Sequence, residues 1–401
     1  MDRIIVIGAG QAGASLTGKL RALGHEGEIT LIGEEPAPPY QRPPLSKKYL
    51  LGEMPLERMY LKAEESYAEA EISLRLGQAV TAVDTAARIV KLGDENLAYD
   101  QLAFTTGSVP RRLPASIGGD LKNVFLVRTL ADVDAMSPAF KEGARVLIIG
   151  GGYIGLEAAA VAAMKGLKAT LIEAADRILK RVAAPETSDY FRALHTGHGV
   201  DMRESVSLTR LTGDGVVTGA ELSDGTTLDI DFAIVGVGID PATALAEGAD
   251  IACENGITVD DLGRTSAPGV WAAGDCASFP YRGAPTRLES VPHAIDQAEA
   301  VAENMLGADK PYLAKPWFWS DQYDVKLQIA GLNTGYDRVV VREGEKGQSN
   351  WYFRGAELLA VDAMNDARGY MIGKRLIEAG KSPAPEALAD PATDLKALLK
   401  A

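Results

Sequence analysis

Cysteine is scarce in this chain of 401 residues, which contains only Cys253 and Cys276. Two widely spaced thiols exclude a disulfide-stapled scaffold, a CxxC redox motif and a cysteine zinc site. They suit a reducing compartment, so we expect a cytoplasmic protein.

Positive charge is also in deficit, because 41 Lys and Arg stand against 55 Asp and Glu and give a net charge of −14 at pH 7. A nucleic-acid-binding protein would need a basic face. No uncharged apolar run approaches the roughly 18 residues that span a bilayer, and no signal peptide is expected because the first strand begins near Arg3. We therefore expect neither nucleic acid nor membrane as a partner.

The length and apolar content indicate more than one domain. A chain of 401 residues with 46% hydrophobic residues exceeds the single-core limit of about 250 to 300 residues. We expect two or three domains, each with its own core.

Two glycine fingerprints organise the chain, each placed after an apolar strand and before a helix. They are Gly8, Gly10 and Gly13, and Gly150, Gly152 and Gly155. In the G-x-G-x-x-G pattern the first glycine makes a tight turn, the second lets backbone N–H groups approach a pyrophosphate, and the third lets the helix pack on its strand. Two such units indicate two dinucleotides.

An acidic residue follows each fingerprint at the distance where a dinucleotide site places its ribose-binding carboxylate. Glu173 has this position after the second fingerprint. After the first, Glu34 is the better candidate and Glu35 the weaker one. The alternative, two unrelated glycine turns, is disfavoured because both acids occur at the right distance.

Three further features of the sequence each have a functional and a structural interpretation. The proline-rich segment 36–47 predicts a stiff loop, in which Arg42 and Lys47 contact a cofactor or are solvated charges. Asp275, after a buried strand, binds a polyol hydroxyl or caps a turn. The aromatic segment 316–322 forms a cofactor wall or core. From there the pattern predicts strands followed by helices at about 366–379 and 393–399.

Several motifs together resemble a known family. They are GAGQAG, PPYQRPPLSK, TTGSVP, GGGYIGLE, GVGIDP, TSAPGVWAAGDCA, ESVPHAIDQA and PWFWSDQYD. Their order is similar to that of the ferredoxin reductases of bacterial cytochrome P450 and aromatic-ring dioxygenase systems. The resemblance covers nearly the whole chain and implies an α/β fold with two Rossmann-like, glutathione-reductase-like dinucleotide-binding domains and a C-terminal α+β domain. The implied boundaries are 1–110 and 239–310 for FAD, 111–238 for NAD, and 311–401 for the C-terminal domain.

The resemblance also implies the site residues. FAD would be bound by Gly8, Gly10, Gly13, Glu34, Glu35, Arg42, Lys47, Val80, Thr106, Arg128, Asp275, Val291 and Trp319. NADH would be bound by Gly150, Gly152, Tyr153, Ile154, Gly155, Glu173 and Gly238. The implied catalytic residues are Lys47, Glu157, Glu289 and Trp319, with Lys47 and Glu157 beside the flavin. The cysteine pair of related disulfide reductases is missing.

The expected function is electron transfer from NADH through FAD to a small [2Fe–2S] ferredoxin. Glu173 favours NADH, because a carboxylate repels a 2′-phosphate, although Arg177 lies close by. An acidic reductase needs a local basic patch for an acidic partner, and we expect one that includes Lys326 and Arg338. The chain would be a monomer or weak dimer.

Two alternatives remain. One is reduction of a small acceptor, as in monodehydroascorbate reductase or an NADH oxidase, because fold alone does not identify the acceptor. The other is a redox-signalling flavoprotein similar to apoptosis-inducing factor, which the acidic, tag-free sequence disfavours.

Overall fold

The computed structural model describes residues 2–344 and 347–400. The chain divides into two compact units, each built from three segments. The first unit comprises Met1–Gln41, Pro55–Val109 and Ile239–Pro316. The second comprises Arg42–Met54, Pro110–Gly238 and Trp317–Ala401.

The described residues form helices and strands throughout both units. The α-helices are α1 Gln11–Ala22, α2 Lys48–Leu51, α3 Glu64–Glu69, α4 Leu130–Met136, α5 Tyr153–Met164, α6 Pro185–Gly197, α7 Ala244–Glu247, α8 Val291–Met305, α9 Ala367–Glu378 and α10 Pro385–Ala389. Short 3-10 helices are Pro43–Ser46, Leu56–Arg58, Ala115–Ile117, Ser137–Ala139 and Ala397–Leu399. None of the described helices is long and apolar enough to cross a membrane.

The strands are short and numerous. They are β1 Ile4–Ile7, β2 Ile29–Ile32, β3 Ile72–Arg75, β4 Val80–Asp84, β5 Ile89–Leu92, β6 Glu95–Ala98, β7 Gln101–Phe104, β8 Ser108–Pro110, β9 Val124–Phe125, β10 Arg145–Ile149, β11 Lys168–Glu173, β12 Asp201–Glu204, β13 Leu208–Gly213, β14 Val217–Leu222, β15 Thr227–Asp229, β16 Phe232–Val235, β17 Ile239–Pro241, β18 Ile257–Thr258, β19 Val270–Ala272, β20 Ala277–Tyr281, β21 Ala284–Thr286, β22 Trp317–Gln322, β23 Val325–Gly331, β24 Arg338–Glu343, β25 Gln348–Arg354 and β26 Glu357–Met364.

The first unit is built on a parallel sheet with strand order β19-β7-β1-β2-β3. All four residues of β1 and of β2 are buried, as a parallel sheet covered on both faces requires. Helices α1 and α8 contribute Leu16, Leu20, Ala298 and Val301 to the same apolar core. The first glycine turn therefore opens at the carboxyl end of a buried strand.

The second unit contains a matching parallel sheet, β12-β11-β10-β16-β9, and an antiparallel sheet, β22-β23-β26-β25-β24. Helix α9 packs on the antiparallel sheet, where Trp351, Val361 and Leu376 share one core. Each parallel sheet has its own glycine turn and helix, and the last segment is α+β. The predicted fold class is confirmed.

A buried polar cluster ties α6, a helix that the sequence analysis missed, to the antiparallel sheet. Thr187 on α6 donates to Asp362 at 2.8 Å and accepts from Asn350 at 2.9 Å. The Tyr352 hydroxyl also donates to Asp362. Burial raises the pKa of the Asp362 carboxyl to about 6. Each polar side chain in the cluster has a partner, which offsets its desolvation.

The helix predicted at about 393–399 is wrong, because only Ala397–Leu399 forms a 3-10 turn there and α10 lies earlier in the chain. The side chain of Arg342 on β24 explains the difference. It donates to the backbone carbonyl oxygens of Leu388, Asp390, Pro391 and Thr393, at 2.6 to 3.0 Å. Carbonyls that face a guanidinium are not available for a helical ladder.

We predict that Arg342→Met releases the segment after α10. Loss of four charge-assisted hydrogen bonds should accelerate amide hydrogen exchange in residues 388–399 by about tenfold, equivalent to about 1.4 kcal/mol of local opening. Arg354→Met is the control, because Arg354 is exposed and pairs with Glu357 on the surface. Equal exchange in the two variants would contradict the role given to Arg342.

Candidate functional site

The first glycine turn joins β1 to α1. Gly8 has a φ of 114°, and a Cβ there would lie 2.3 Å from the carbonyl oxygen of Thr105. A Cβ on Gly13 would lie 2.1 Å from the carbonyl oxygen of Gly8. Gly10, by contrast, has no heavy atom within 4 Å of the place that a Cβ would take, and no side chain caps α1. The N–H groups at the start of α1 therefore face an open cradle of the kind that binds phosphate.

The second glycine turn, between β10 and α5, repeats this geometry. Gly150 has a φ of 111°, and its Cβ would lie 2.3 Å from the carbonyl oxygen of Gly236. A Cβ on Gly155 would lie 2.1 Å from the carbonyl oxygen of Gly150. Gly152 is open to 4 Å, and α5 also lacks a side-chain cap.

Glu173, the last residue of β11, lies against this second turn. Its Oε2 accepts from the Gly151 amide at 2.7 Å and its Oε1 from the Ala175 amide at 2.8 Å. A carboxylate oxygen has a second acceptor site, so both can still accept from ribose hydroxyls. Arg177 donates to the Ser188 hydroxyl at 2.7 Å and so contacts α6.

The first unit has a different arrangement after its matching strand. β1 and β2 end in the register pair Ile7–Ile32, as β10 and β11 pair Ile149 with Ile172. Gly33 therefore has the position of Glu173, and a Cβ on it would lie 2.6 Å from the Ala9 Cβ. The two predicted acids come later.

Of those two acids, Glu34 is exposed and Glu35 is half-buried. Glu35 accepts from the Tyr40 hydroxyl at 2.6 Å. Both remain predictions for the ribose site.

Other predicted residues of the first unit are distributed around the same sheet. The Thr106 hydroxyl donates to a backbone carbonyl at 2.7 Å. Asp275 accepts from Ser108 at 3.3 Å. It follows Gly274, whose Cβ would lie 3.0 Å from the Ala12 Cβ at the start of α1. Asp275 is thus adjacent in sequence to a residue that packs against the first phosphate cradle.

Three more predicted residues do not contact one another in the part of the chain that the structure describes. Val80 begins β4 and Val291 begins α8. Glu289 is 40% exposed and forms an ion pair with Arg287 at 2.6 Å. Their assignment to a cofactor rests on the resemblance.

Lys47 and Glu157, predicted as a catalytic pair, form an ion pair in the second unit. The Nζ of Lys47 lies 2.8 Å from Oε1 of Glu157, whose side chain is only 2% exposed. Ser46 donates to Oε2 and Ser320 to Oε1, each at 2.6 Å. A buried ion pair must recover its desolvation through good geometry and further hydrogen bonds, and this pair has both.

Strand β22 separates its aromatic residues between two faces. Phe318 contacts the Tyr153 ring on α5, with centroids 4.8 Å apart, and Ser320 follows on the same face. The half-buried side chain of Trp319 lies on the opposite face of the strand. Its ring centroid is 5.7 Å from that of Trp317. Packing of one face against α5 thus fixes Trp319 on the other.

The two predicted arginines of the second unit are in contact. Arg42 donates to the backbone carbonyl of Arg128 at 2.6 Å. Ile154 is 45% exposed at the start of α5. Gly238 has a φ of 114°, and its Cβ would lie 3.8 Å from the side chains of Arg111 and Arg181.

Lys326 and Arg338, predicted as one docking patch, are far apart in the antiparallel sheet. Lys326 on β23 lies 3.9 Å from Asp321, and Arg338 on β24 lies 3.1 Å from Glu386. In the strand order, β24 is three intervals from β23, or about 14 Å at the usual strand spacing. The structure does not bring these two cations together.

Both phosphate cradles fit the dinucleotides that the fold implies. Gly10 and Gly152 leave the space that a Cβ would fill, and the first backbone N–H groups of α1 and α5 are uncapped by side chains. Donors without a carboxylate cap suit an anionic group such as a pyrophosphate. The described residues therefore fit FAD and NAD(H).

Sequence reasoning missed Ser46, Ser320, Arg111 and Arg181. The two serines are adjacent in sequence to the predicted residues Lys47 and Trp319, which is a signal that could have found them. Arg111 and Arg181 come together only through folding.

Comparisons with known proteins agree with this geometry. Residues 2–298 match the family model described as pyridine nucleotide-disulphide oxidoreductase. Residues 317–399 match the model described as reductase C-terminal.

The chain is also similar to complete proteins. It is 44% identical to a ferredoxin–NAD(P)+ reductase of Sphingomonas sp., over 98% of this chain and 96% of that protein. It is 38% identical to the ferredoxin–NAD+ reductase component of the p-cumate 2,3-dioxygenase system of Pseudomonas putida, over 99% and 98%. The crystal structure of a covalent putidaredoxin reductase–putidaredoxin complex matches with a TM-score of 0.96 at 37% identity, over 100% and 98% of the chains.

We predict that Glu173 selects NADH over NADPH. A carboxylate at this position would accept from ribose hydroxyls and repel a 2′-phosphate, so kcat/KM should favour NADH by at least about tenfold, or about 1.4 kcal/mol. Glu173→Ala should shrink that ratio. Glu221→Ala is the control, because Glu221 is an acid of the same unit paired with Arg210 on a separate small sheet. Equal efficiency with NADPH in the unmodified protein would contradict this role.

Proposed function

The chain belongs to the pyridine nucleotide-disulphide oxidoreductase family, and on that premise we propose that it is an NADH-dependent FAD flavoprotein that reduces a [2Fe–2S] ferredoxin. The ferredoxin would feed a cytochrome P450 or a ring-hydroxylating dioxygenase. The observation that carries the proposal is the buried Lys47–Glu157 pair. A fixed cation of this kind suits a flavin that becomes anionic on reduction.

The absence of thiol chemistry supports the same proposal. Cys276 is buried and its thiol contacts a backbone carbonyl at 3.4 Å. Burial raises the pKa of both Cys253 and Cys276, which disfavours the reactive thiolate. The two free thiols also suit the cytoplasm that we propose as its location.

Bound FAD would supply the conversion of a two-electron donor into a one-electron source. The glycine turn at Gly8, Gly10 and Gly13 would bind its pyrophosphate, with Glu34 or Glu35 at the ribose. Thr106 and Asp275 would bind the remainder of the same cofactor. Following the resemblance, Val80, Val291, Arg42 and Arg128 complete the set.

The residues of the second unit have distinct roles in the proposal. The turn at Gly150, Gly152 and Gly155 would bind the NADH pyrophosphate, and Glu173 its adenosine ribose. Tyr153, Ile154, Gly238 and Glu289 would contact the rest of NADH.

Lys47 would hold a positive charge for the reduced flavin. Glu157 orients Lys47, because its Oε1 lies 2.8 Å from the Lys47 Nζ. Trp319 would lie against the flavin.

The domain boundaries belong to the proposal too. We assign residues 1–110 and 239–310 to FAD, 111–238 to NAD and 311–401 to the C-terminal α+β domain. The match of the reductase C-terminal model to residues 317–399 supports the last assignment.

The test of function is reduction by NADH in a stopped-flow instrument, followed by a panel of ferredoxins. We expect rapid bleaching of the flavin by NADH and reduction of a [2Fe–2S] ferredoxin with saturation kinetics. Monodehydroascorbate and O2 serve as competing acceptors. If the flavin is reduced but one of these small acceptors is used in preference to every ferredoxin, the ferredoxin proposal is wrong.

We also predict that Lys326 contributes to ferredoxin docking and Arg338 does not. Lys326 is on the strand next to Trp319, and its register partner Asp321 places it on the same sheet face. Lys326→Glu should raise the KM for ferredoxin about tenfold and weaken its salt dependence, because a cation that steers an acidic partner is reversed.

Arg338→Glu is the matched control, since it makes the same charge change on the far strand. Turnover of NADH with ferricyanide should be the same in both variants, because a small acceptor needs no docking surface. Similar ferredoxin kinetics in the two variants would rule out a docking role specific to Lys326.

A further inference from the structure

A chain of buried hydrogen bonds ends at the Glu157 carboxylate. Tyr323 Oη lies 3.2 Å from His195 Nδ1, and His195 Nε2 lies 2.8 Å from Gln322 Oε1. Gln322 Nε2 donates to Ser320 Oγ at 3.2 Å, and Ser320 donates to Glu157 Oε1 at 2.6 Å. We call these four residues and Glu157 the Glu157 chain. His195, Gln322 and Ser320 are at most 1% exposed.

The carboxylate at one end determines the direction of every bond in the chain. An ionised carboxylate only accepts, so the Ser320 hydroxyl must donate to it and can only accept from Gln322. The Gln322 atom facing Ser320 is therefore its NH2 group, which turns its oxygen to His195. His195 then carries its proton on Nε2, and its bare Nδ1 accepts from the Tyr323 hydroxyl.

The titratable members of the Glu157 chain are held in the forms that this direction needs. Burial lowers the pKa of His195 to about 4, so the imidazole is neutral at physiological pH. Burial raises the pKa of Tyr323, so its phenol remains a donor.

The groups facing these titratable residues come from three segments of the chain. His198 at the end of α6 stacks on Tyr323, with ring centroids 3.7 Å apart, and its charge lowers the pKa of His195 further. Among the described residues, Lys47 is the cation that contacts Glu157. Tyr153 lies on α5 one helical turn before Glu157.

All four bonds point their donors toward Glu157, and their effects add. A buried carboxylate loses its contacts with water, and hydrogen-bond donors directed at it replace those contacts. Aligned hydrogen bonds polarise one another, so a donor several residues away still strengthens the last bond. Ser46 on the other oxygen acts alone, without a chain behind it in the described contacts.

We propose that His195, Gln322 and Ser320 are positioning residues that hold the Glu157 carboxylate and, through it, the Lys47 ammonium in place. The inference rests on the proposed function for the use of Lys47 at the flavin. Its structural content, the state of the ion pair, can be measured independently of any ferredoxin.

The test follows the ε-ammonium of Lys47 by 1H–15N NMR in the FAD-bound protein labelled with 15N-lysine. An ammonium held by a buried carboxylate exchanges its protons slowly with water, and the exchange rate is measured at one fixed pH. Removing a donor loosens the carboxylate, so the Lys47 ammonium should exchange its protons faster. We expect Ser320→Ala, Gln322→Leu and His195→Phe to give decreasing effects on this rate, the largest about tenfold.

Double variants separate positioning from simple loss of packing. In a Ser320→Ala background, Gln322→Leu should cause no further change in the exchange rate of the Lys47 ammonium, because the chain is already broken. In a Ser46→Ala background, Gln322→Leu should keep its full effect on that rate. Asn350→Leu is the matched control, since Asn350 is a buried amide of the same unit that contacts α6 through Thr187. It should lower thermal stability and leave the exchange rate of the Lys47 ammonium unchanged.

The inference is overturned if Gln322→Leu leaves the exchange rate of the Lys47 ammonium as it is in the unmodified protein, or if Asn350→Leu raises it equally. It is also overturned if Gln322→Leu has its full effect on the exchange rate in the Ser320→Ala background. Faster exchange in these variants together with failure of the unmodified protein to reduce any ferredoxin would support the positioning and reject the proposed function.

Discussion

The second unit depends on the burial of one carboxylate, that of Glu157. A charged group with 2% exposure is tolerated only if hydrogen-bond and ion-pair partners surround it, and here they come from two separate segments of the chain. Lys47 and Ser46 arrive from the proline-rich segment, and Ser320 arrives from β22. The glycine turn that would bind NADH is one helical turn away. Movement of either segment would expose the Glu157 carboxylate to water or leave it buried without a partner. The contacts of Glu157 therefore fix the position of β22.

Strand β22 shows how one short sequence serves two purposes. Its alternation sends Phe318, Ser320 and Gln322 toward α5 and α6, while Trp317 and Trp319 have the opposite face. A slip of one residue would exchange the two sets. The contacts of Phe318, Ser320 and Gln322 thus determine the position of Trp317 and Trp319.

Local patterns were sufficient for the two glycine turns, because the steric need for glycine at Gly8 and Gly150 arises within the β–turn–α unit itself. They were insufficient wherever a distant residue decides. The last predicted helix fails at its start, where Arg342 binds the carbonyl of Thr393 and that of Asp390 just before it. The hydroxyls on Glu157 come from positions more than 100 residues away. The paired docking cations were a sequence-based expectation that strand order separates, since nothing local places β24 at the far edge of the sheet.

The two phosphate cradles also differ in which of two neighbouring positions carries a side chain. In the first unit, Ala9 carries a methyl group and Gly33 has no side chain. In the second unit, Gly151 has no side chain, and the carboxylate of Glu173 accepts from the Gly151 amide. Neither difference works alone: a methyl at 151 would lie 3.2 Å from the Glu173 Cβ and 2.7 Å from the Ile178 side chain. Glycine at 173 would remove the acceptor of the Gly151 amide. Each cradle therefore accepts only its own pair of residues, because changing one member alone creates a steric overlap or leaves an amide without its acceptor.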